Sequence, residues 1–310
     1  MTISYYLYLF ISIVIMIVGV LIGVAFIILL ERKVLGYIQL RKGPNRVGLM
    51  GIIQSFSDAI KLFIKEFIFS YKSNFYLFFF SPVALLSISL VLWGLGGSNY
   101  VGFNSILGIL FFLVITSLGV YLVFTRGWSS NSNYALVGSV RGVSQSVSYE
   151  VRIALMLLSL VYFIGSYRLF CFRLASNIIL LIYLYVPIFL CWCITILAET
   201  NRPPFDFAEG ESELVSGFNV DYSRGGFAFL FLAEYAIILF MSYFIRVLFF
   251  GGLVVSLVVL LGCLFSFCFI WVRGCLPRFR YDKLIYLAWK IFLPVVLLFL
   301  CFYIGWPLIF

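Results

Sequence analysis

The chain has 310 residues, of which 64% are hydrophobic, 20% aromatic and only 11% charged, with a formal net charge of +9 and no histidine. A mean hydropathy of +1.16, with apolar runs of about 20 residues recurring along the whole length, excludes a water-soluble globule and points to an all-α polytopic membrane protein. Seven scattered cysteines without cluster or zinc spacing offer no metal site and read as small apolar packing residues.

The hydropathy pattern predicts a single membrane domain, 1–310, with about eight transmembrane helices near 3–30, 77–97, 105–124, 147–166, 177–198, 227–250, 253–272 and 285–308. The sequence opens directly into an apolar run at Ile3, so neither a cleavable signal nor a transit segment is expected. Insertion by membrane-bound synthesis, or manufacture inside the organelle that uses it, is therefore expected. The segments 31–76, 125–146, 199–226 and 273–284 would share one side, and 18 of the 21 Lys and Arg residues fall in or near them, all but Arg168, Arg173 and Arg246. The positive-inside rule puts that side in the matrix or cytoplasm and both termini opposite, in the intermembrane space if the membrane is mitochondrial. All twelve acids lie on the same side. Topology does not require this, so a polar docking and working surface is expected there.

After the first span, Glu31-Arg32-Lys33 reads as the helix end and Arg41 to Arg46 as a stiff basic turn. Ile52, Ile53, Phe56, Ala59, Ile60, Phe63, Ile64 and Phe67 then recur at helical spacing, with Asp58, Lys61, Lys65 and Glu66 opposite. That pattern predicts an amphipathic helix in the membrane interface. The stretch from Gly127 to Tyr149 is polar and small and reads as a loop suited to close packing. Glu150 opens the fourth span; Arg152, about 200° away on a helix, does not simply pair with it.

The segment Glu199 to Gly217 concentrates Glu199, Asp206, Glu209, Glu211 and Glu213, five of the twelve acids. Pro203 and Pro204 stop the preceding apolar run. Asp206 and Glu209 have capping-box spacing, which predicts a short loop helix from about 207 to 216. Glu209 and Glu213 on one face would cost that helix a few tenths of a kcal/mol, so something other than stability keeps them. In the sixth span, Glu234 has about eight apolar or small residues on each side, the pattern of an ion or proton path. Glu150, Glu199 and Glu234 sit at or inside the ends of three spans. With the loop acids they make a candidate inward route on which carboxyls titrate as a group.

Leu35 to Gly48 (LGYIQLRKGPNRVG) and Pro204 to Gly217 (PFDFAEGESELVSG) resemble the two signatures of the chain-1 membrane subunits of NADH:ubiquinone oxidoreductase, respiratory complex I. The resemblance extends through GWSSNSNYAL, SYEV at Glu150, AEY at Glu234 and LPRFRYDKL at Leu276 to Leu284. It covers essentially the whole chain and is most similar to the mitochondrially encoded, invertebrate forms. It implies a multi-pass subunit of the mitochondrial inner membrane that forms the ubiquinone-access tunnel and holds no FMN, iron–sulfur cluster or metal. Its implied partners are the quinone-reducing peripheral-arm subunits, neighbouring small membrane subunits and lipid, not nucleic acid. By matching motifs, Arg32, Asp58, Phe231, Arg278 and Arg280 would border the tunnel. Glu150, Glu199, Asp206, Glu209, Glu211, Glu213 and Glu234 would couple quinone chemistry to proton translocation. Arg126 and Arg152 depart from the uncharged residues usual in the family, and Arg141 to Ser146 is smaller than the usual version. Two alternatives stand beside this reading: the related membrane subunit of an energy-converting hydrogenase, and a standalone proton-coupled transporter, for which broken helices and inverted repeats are expected.

Overall fold

The computed structural model describes residues 2–66, 71–95, 106–178, 181–207, 210, 217–219, 221–251 and 255–309. Within them the chain is helical: α1 (Thr2–Ile38), α2 (Gln54–Ile64), α3 (Phe75–Leu95), α4 (Gly108–Ser129), α5 (Asn133–Ile164), α6 (Leu169–Ile178), the single turn α7 (Leu181–Leu184), α8 (Val186–Glu199), α9 (Arg224–Phe249), α10 (Val255–Cys275), α11 (Tyr281–Tyr286) and α12 (Leu293–Ile309). Six helical segments are long and apolar enough to cross a membrane. Two shorter apolar helices, Val186–Glu199 and Val259–Cys275, lie where the fifth and seventh spans are expected. Most of the short helix expected at 207–216, including Glu209, Glu211 and Glu213, lies outside the described residues.

Three boundaries differ from the hydropathy reading for physical reasons. First, Glu31-Arg32-Lys33 does not end α1, which continues to Ile38. Glu, Arg and Lys are good helix formers, so the charges end the apolar stripe and not the helix. At about 1.5 Å per residue α1 is roughly 55 Å long, well beyond the roughly 30 Å of a hydrocarbon core. Second, most of the expected loop 125–146 is helix, split between the end of α4 and the start of α5. Its small residues let the two helices approach closely: a Cβ added at Gly127 would collide with the Ser139 side chain and lie 2.7 Å from the Ala135 carbonyl oxygen. Low hydropathy there reflects small polar packing. Third, α11 runs through a π segment, Leu287–Phe292, into α12. Pro294 has no N–H for the preceding turn, and the wider turn accommodates it.

The expected interfacial helix is α2, whose Ile60, Phe63 and Ile64 are exposed. The core lies where α4, α5, α8 and α9 meet. Phe112 stacks on Phe244 with centroids 4.4 Å apart, and Trp192 is fully buried between Phe244 and Phe249. Outward apolar side chains such as Phe10, Phe80 and Tyr121 are more than half exposed, as a lipid-facing surface requires.

Candidate functional site

The site is assembled on a frame of core-type helix faces that carry charged residues at single positions. On α1, Val20, Val24, Ile27 and Glu31 recur at helical spacing and are all buried. Glu31 is thus driven inward by the face it belongs to, and at 5% exposure it needs partners. Tyr235 of α9 donates its hydroxyl to Glu31 Oε2 at 2.5 Å, and Arg273 of α10 forms an ion pair and hydrogen bond with Oε1.

Arg202, in the turn segment after α8, connects this group to the next. Its Nη1 is 4.0 Å from Glu31 Oε1, its Nη2 is 3.8 Å from Glu234 Oε2, and its guanidinium lies 4.4 Å over the Tyr235 ring. The segment is fixed in place by Gln145 of α5, whose Nε2 donates to the carbonyls of Ala198 and Phe205, each at 2.8 Å. From the far side Arg126 of α4, 2% exposed, brings Nη1 to 3.9 Å from Glu234 Oε1. Glu234 therefore stands between two guanidiniums, one on each carboxylate oxygen. Nearby Tyr222 stacks on Phe78 at 4.1 Å and shares a 2.9 Å hydrogen bond with Ser81. Burial pushes its phenol above the usual range, opposed first by its hydrogen bonds to Ser81 and Ser129 and then by the Arg126 charge.

Two cavities flank these groups, with a smaller one of about 20 Å³ between them. The inner cavity, about 70 Å³, is bordered by Arg126, Ser146, Glu199, Thr200, Asn201 and Glu234, with Thr116 and an otherwise apolar remainder from α3, α4 and α9. A water needs about 10–15 Å³ of such space and two to four polar partners, so this cavity has room and lining for several. Glu150, one turn beyond Ser146, lies within the electrostatic field of Glu199. The outer cavity, about 480 Å³, lies among α1, α2 and α9, a size suited to an organic ligand. Its walls are mostly apolar, including Ile28, Leu35, Leu62, Phe63 and Phe231, and its polar groups are Glu31, Arg32, Ser55, Asp58, Arg202 and Arg273. Glu31, Arg202, Tyr235 and Arg273 border both the outer and the small cavity, and Thr200 borders both the small and the inner one. The small cavity thus adjoins both of the others.

Of the residues singled out from sequence, Arg32, Asp58 and Phe231 meet in the outer cavity, where Arg32 and Asp58 form an ion pair. Glu199 and Glu234 meet in the inner one. Arg278 instead reaches Asp206, Nη2 to Oδ2 at 3.1 Å. This joins the last interhelical segment to the post-α8 segment, as does the 3.0 Å bond from Phe279 N–H to the Pro204 carbonyl. Arg280 is largely exposed and pairs locally with Asp282. Arg152 is fully buried, with its guanidinium 3.6 Å over the Tyr149 ring and two bonds to the Ser148 carbonyl. Sequence reading missed Glu31, Tyr235, Arg273 and the bridging position of Arg202. The register of Glu31 with Val20, Val24 and Ile27 is the signal that identifies the first.

A multi-helix bundle that holds buried carboxyls and guanidiniums between an apolar ligand-sized cavity and its interior belongs to the class of polytopic helical membrane proteins with a charged interior. The sequence model of the NADH dehydrogenase family matches residues 11–304, and the chain belongs to that family. It is similar to proteins named NADH-ubiquinone oxidoreductase chain 1. That of Aedes aegypti is 56% identical over 94% of this chain and 93% of the relative. That of Anopheles gambiae is 55% identical over 95% and 94%, and that of Thymallus arcticus 47% over 94% and 93%.

Proposed function

We propose that this chain is the membrane subunit of a proton-pumping NADH:ubiquinone oxidoreductase of the mitochondrial inner membrane, with both termini on the intermembrane-space side. In this role the outer cavity admits ubiquinone from the bilayer, and the buried acids carry the coupling to proton translocation. The observation that carries the reading is the outer cavity itself: an apolar space of about 480 Å³ whose polar groups include Arg32, Asp58, Glu31 and Arg202. It suits a ligand with an apolar tail and a carbonyl-bearing head. Family membership and the names of the relatives support the same reading.

Electrons pass to the quinone on partner subunits, and this chain guides, orients and responds. Reduction changes the charge and proton demand beside Glu31 and Arg202. A unit charge at 4 Å interacts by roughly 4 kcal/mol at an effective dielectric constant of about 20, enough to redistribute a buried proton. Arg202 feels both Glu31 and Glu234, so it transmits that change towards Glu234 and Glu199. Glu150, Asp206, Glu209, Glu211 and Glu213 complete the acidic route. Arg278 holds Asp206 in position, and the exposed Arg280 is available to a peripheral-arm partner.

A photoreactive ubiquinone analogue bound to the intact assembly tests the site. Crosslinks are expected in residues 25–63 and 227–235, suppressed by excess ubiquinone. Crosslinks elsewhere on the chain, with none in these two stretches, would remove the assignment.

A further inference from the structure

The inner cavity, which the proposed function gives to protons, is also lined for a metal cation. Besides Arg126, its polar border is Thr116, Ser146, Glu199, Thr200, Asn201 and Glu234. The three hydroxyls donate their protons to the carbonyls of Phe112, Gly142 and Ile196, which leaves them oxygen lone pairs. Glu199 Oε2 and Asn201 Oδ1 are buried without a hydrogen-bond partner. Both residues lie at the C-terminal end of α8, the negative end of a helix dipole. An oxygen-rich border at a helix C-terminus, around about 70 Å³, suits a hard monovalent cation such as sodium.

Charge decides which cation enters. Glu234 lies 3.9 Å from Arg126 and 3.8 Å from Arg202, Glu31 faces Arg202 and Arg273, and Glu150 lies in the field of Glu199. Asp206, in the field of Glu234, is matched by Arg278. Arg152 points away from Glu150 on α5 and rests on Tyr149. Among the described residues, Glu31, Glu150, Glu199 and Glu234 therefore stand against Arg126, Arg202 and Arg273, four against three. One proton completes that balance, and a metal ion in its place would lie beside a fixed guanidinium. A like unit charge at about 4 Å lowers affinity roughly a thousandfold at an effective dielectric constant of about 20. Without Arg126 the count is four against two, and sodium, far more abundant than the proton at neutral pH, fills the deficit.

We infer that Arg126 determines the ion specificity of the inner cavity: its guanidinium supplies the positive charge that a sodium ion would otherwise bring, so the cavity takes protons and excludes metal cations. The consequence for pumping rests on the proposed proton route. The consequence for ion binding does not.

The test uses the protein in its native assembly, with radioactive sodium retained after rapid desalting as the first measurement. Arg126→Gln should retain about one more sodium ion per chain than the unaltered protein. Arg126→Lys, which keeps the charge, should match the unaltered protein, and adding Glu234→Gln to Arg126→Gln should remove the extra ion. The second measurement is proton uptake per electron in sealed vesicles, in sodium chloride and in choline chloride of equal strength. Uptake by the unaltered protein should be the same in both salts, whereas in Arg126→Gln it should be at least about tenfold lower in sodium. Equal sodium retention by Arg126→Gln and the unaltered protein would overturn the inference. Extra sodium with equal proton uptake in both salts would support exclusion by Arg126 and count against the proton route. If Arg126→Gln fails to assemble, the unaltered protein and Glu234→Gln still decide: a sodium-specific fall in proton uptake by the unaltered protein, with an extra sodium ion that Glu234→Gln loses, would overturn the inference, and its absence would support it.

Discussion

Arg126 of α4 and Glu234 of α9 face each other inside the bundle, Nη1 to Oε1 at 3.9 Å, with Arg126 2% exposed. Removing one partner of a buried pair leaves an uncompensated charge, which costs about 3–5 kcal/mol, but Glu234 keeps Arg202 at 3.8 Å when Arg126 is removed. Arg126→Met is therefore expected to destabilise the protein by less than that, about 1–2 kcal/mol, and the change is expected to be non-additive with Glu234→Gln. Thermal unfolding of the isolated assembly gives the three values. Additive effects of the two changes would mean that the residues do not interact.

Tyr235 donates to Glu31 at the wall between the outer and small cavities. Tyr235→Phe removes one hydrogen bond to a buried charge, a loss of about 1.5–3 kcal/mol. Ubiquinone turnover should fall while NADH oxidation by a water-soluble acceptor stays unchanged. A parallel loss of both activities would point to general unfolding.

Ala228 is buried at the margin of the outer cavity. Ala228→Trp places a large ring in that space without altering any charge. The KM for ubiquinone should rise at least about tenfold, equivalent to 1.4 kcal/mol of lost affinity. An unchanged KM would show that the quinone does not use this cavity.

Gly127 abuts Ser139 and Ala135 across the α4–α5 contact. Gly127→Ala is expected to cost about 1–3 kcal/mol through overpacking. Gly119, beside which a Cβ meets nothing within 4 Å, is the control, and Gly119→Ala should leave the Tm unchanged or slightly higher.

Much of the architecture is legible in the sequence, because apolar periodicity reports burial in lipid whatever the tertiary contacts. It misleads where a helix is not apolar. Glu31-Arg32-Lys33 continues α1 beyond the hydrocarbon, and the serines and glycines of 133–146 are helical because they pack against α4. At the site, Glu199 and Glu234 stand out as single charges on apolar helices, and they border one cavity. The bridging position of Arg202 and the pairing of Arg278 with Asp206 depend on which segments cross in three dimensions. Spacing along one helix contains no trace of that. Arg126 and Arg152 illustrate the same limit: the sequence shows only that they are charged where the related chains are not, and each is buried.

The most direct measurement is proton uptake per electron in sealed vesicles carrying the Glu234→Gln variant. Glutamine keeps the shape of the side chain but cannot exchange a proton, and loss of a positioned acid–base group typically costs about a hundredfold or more. NADH should still reduce ubiquinone at a measurable rate, with proton uptake falling at least about tenfold per electron. Proton uptake per electron equal to that of the unaltered protein would contradict a coupling route through Glu234.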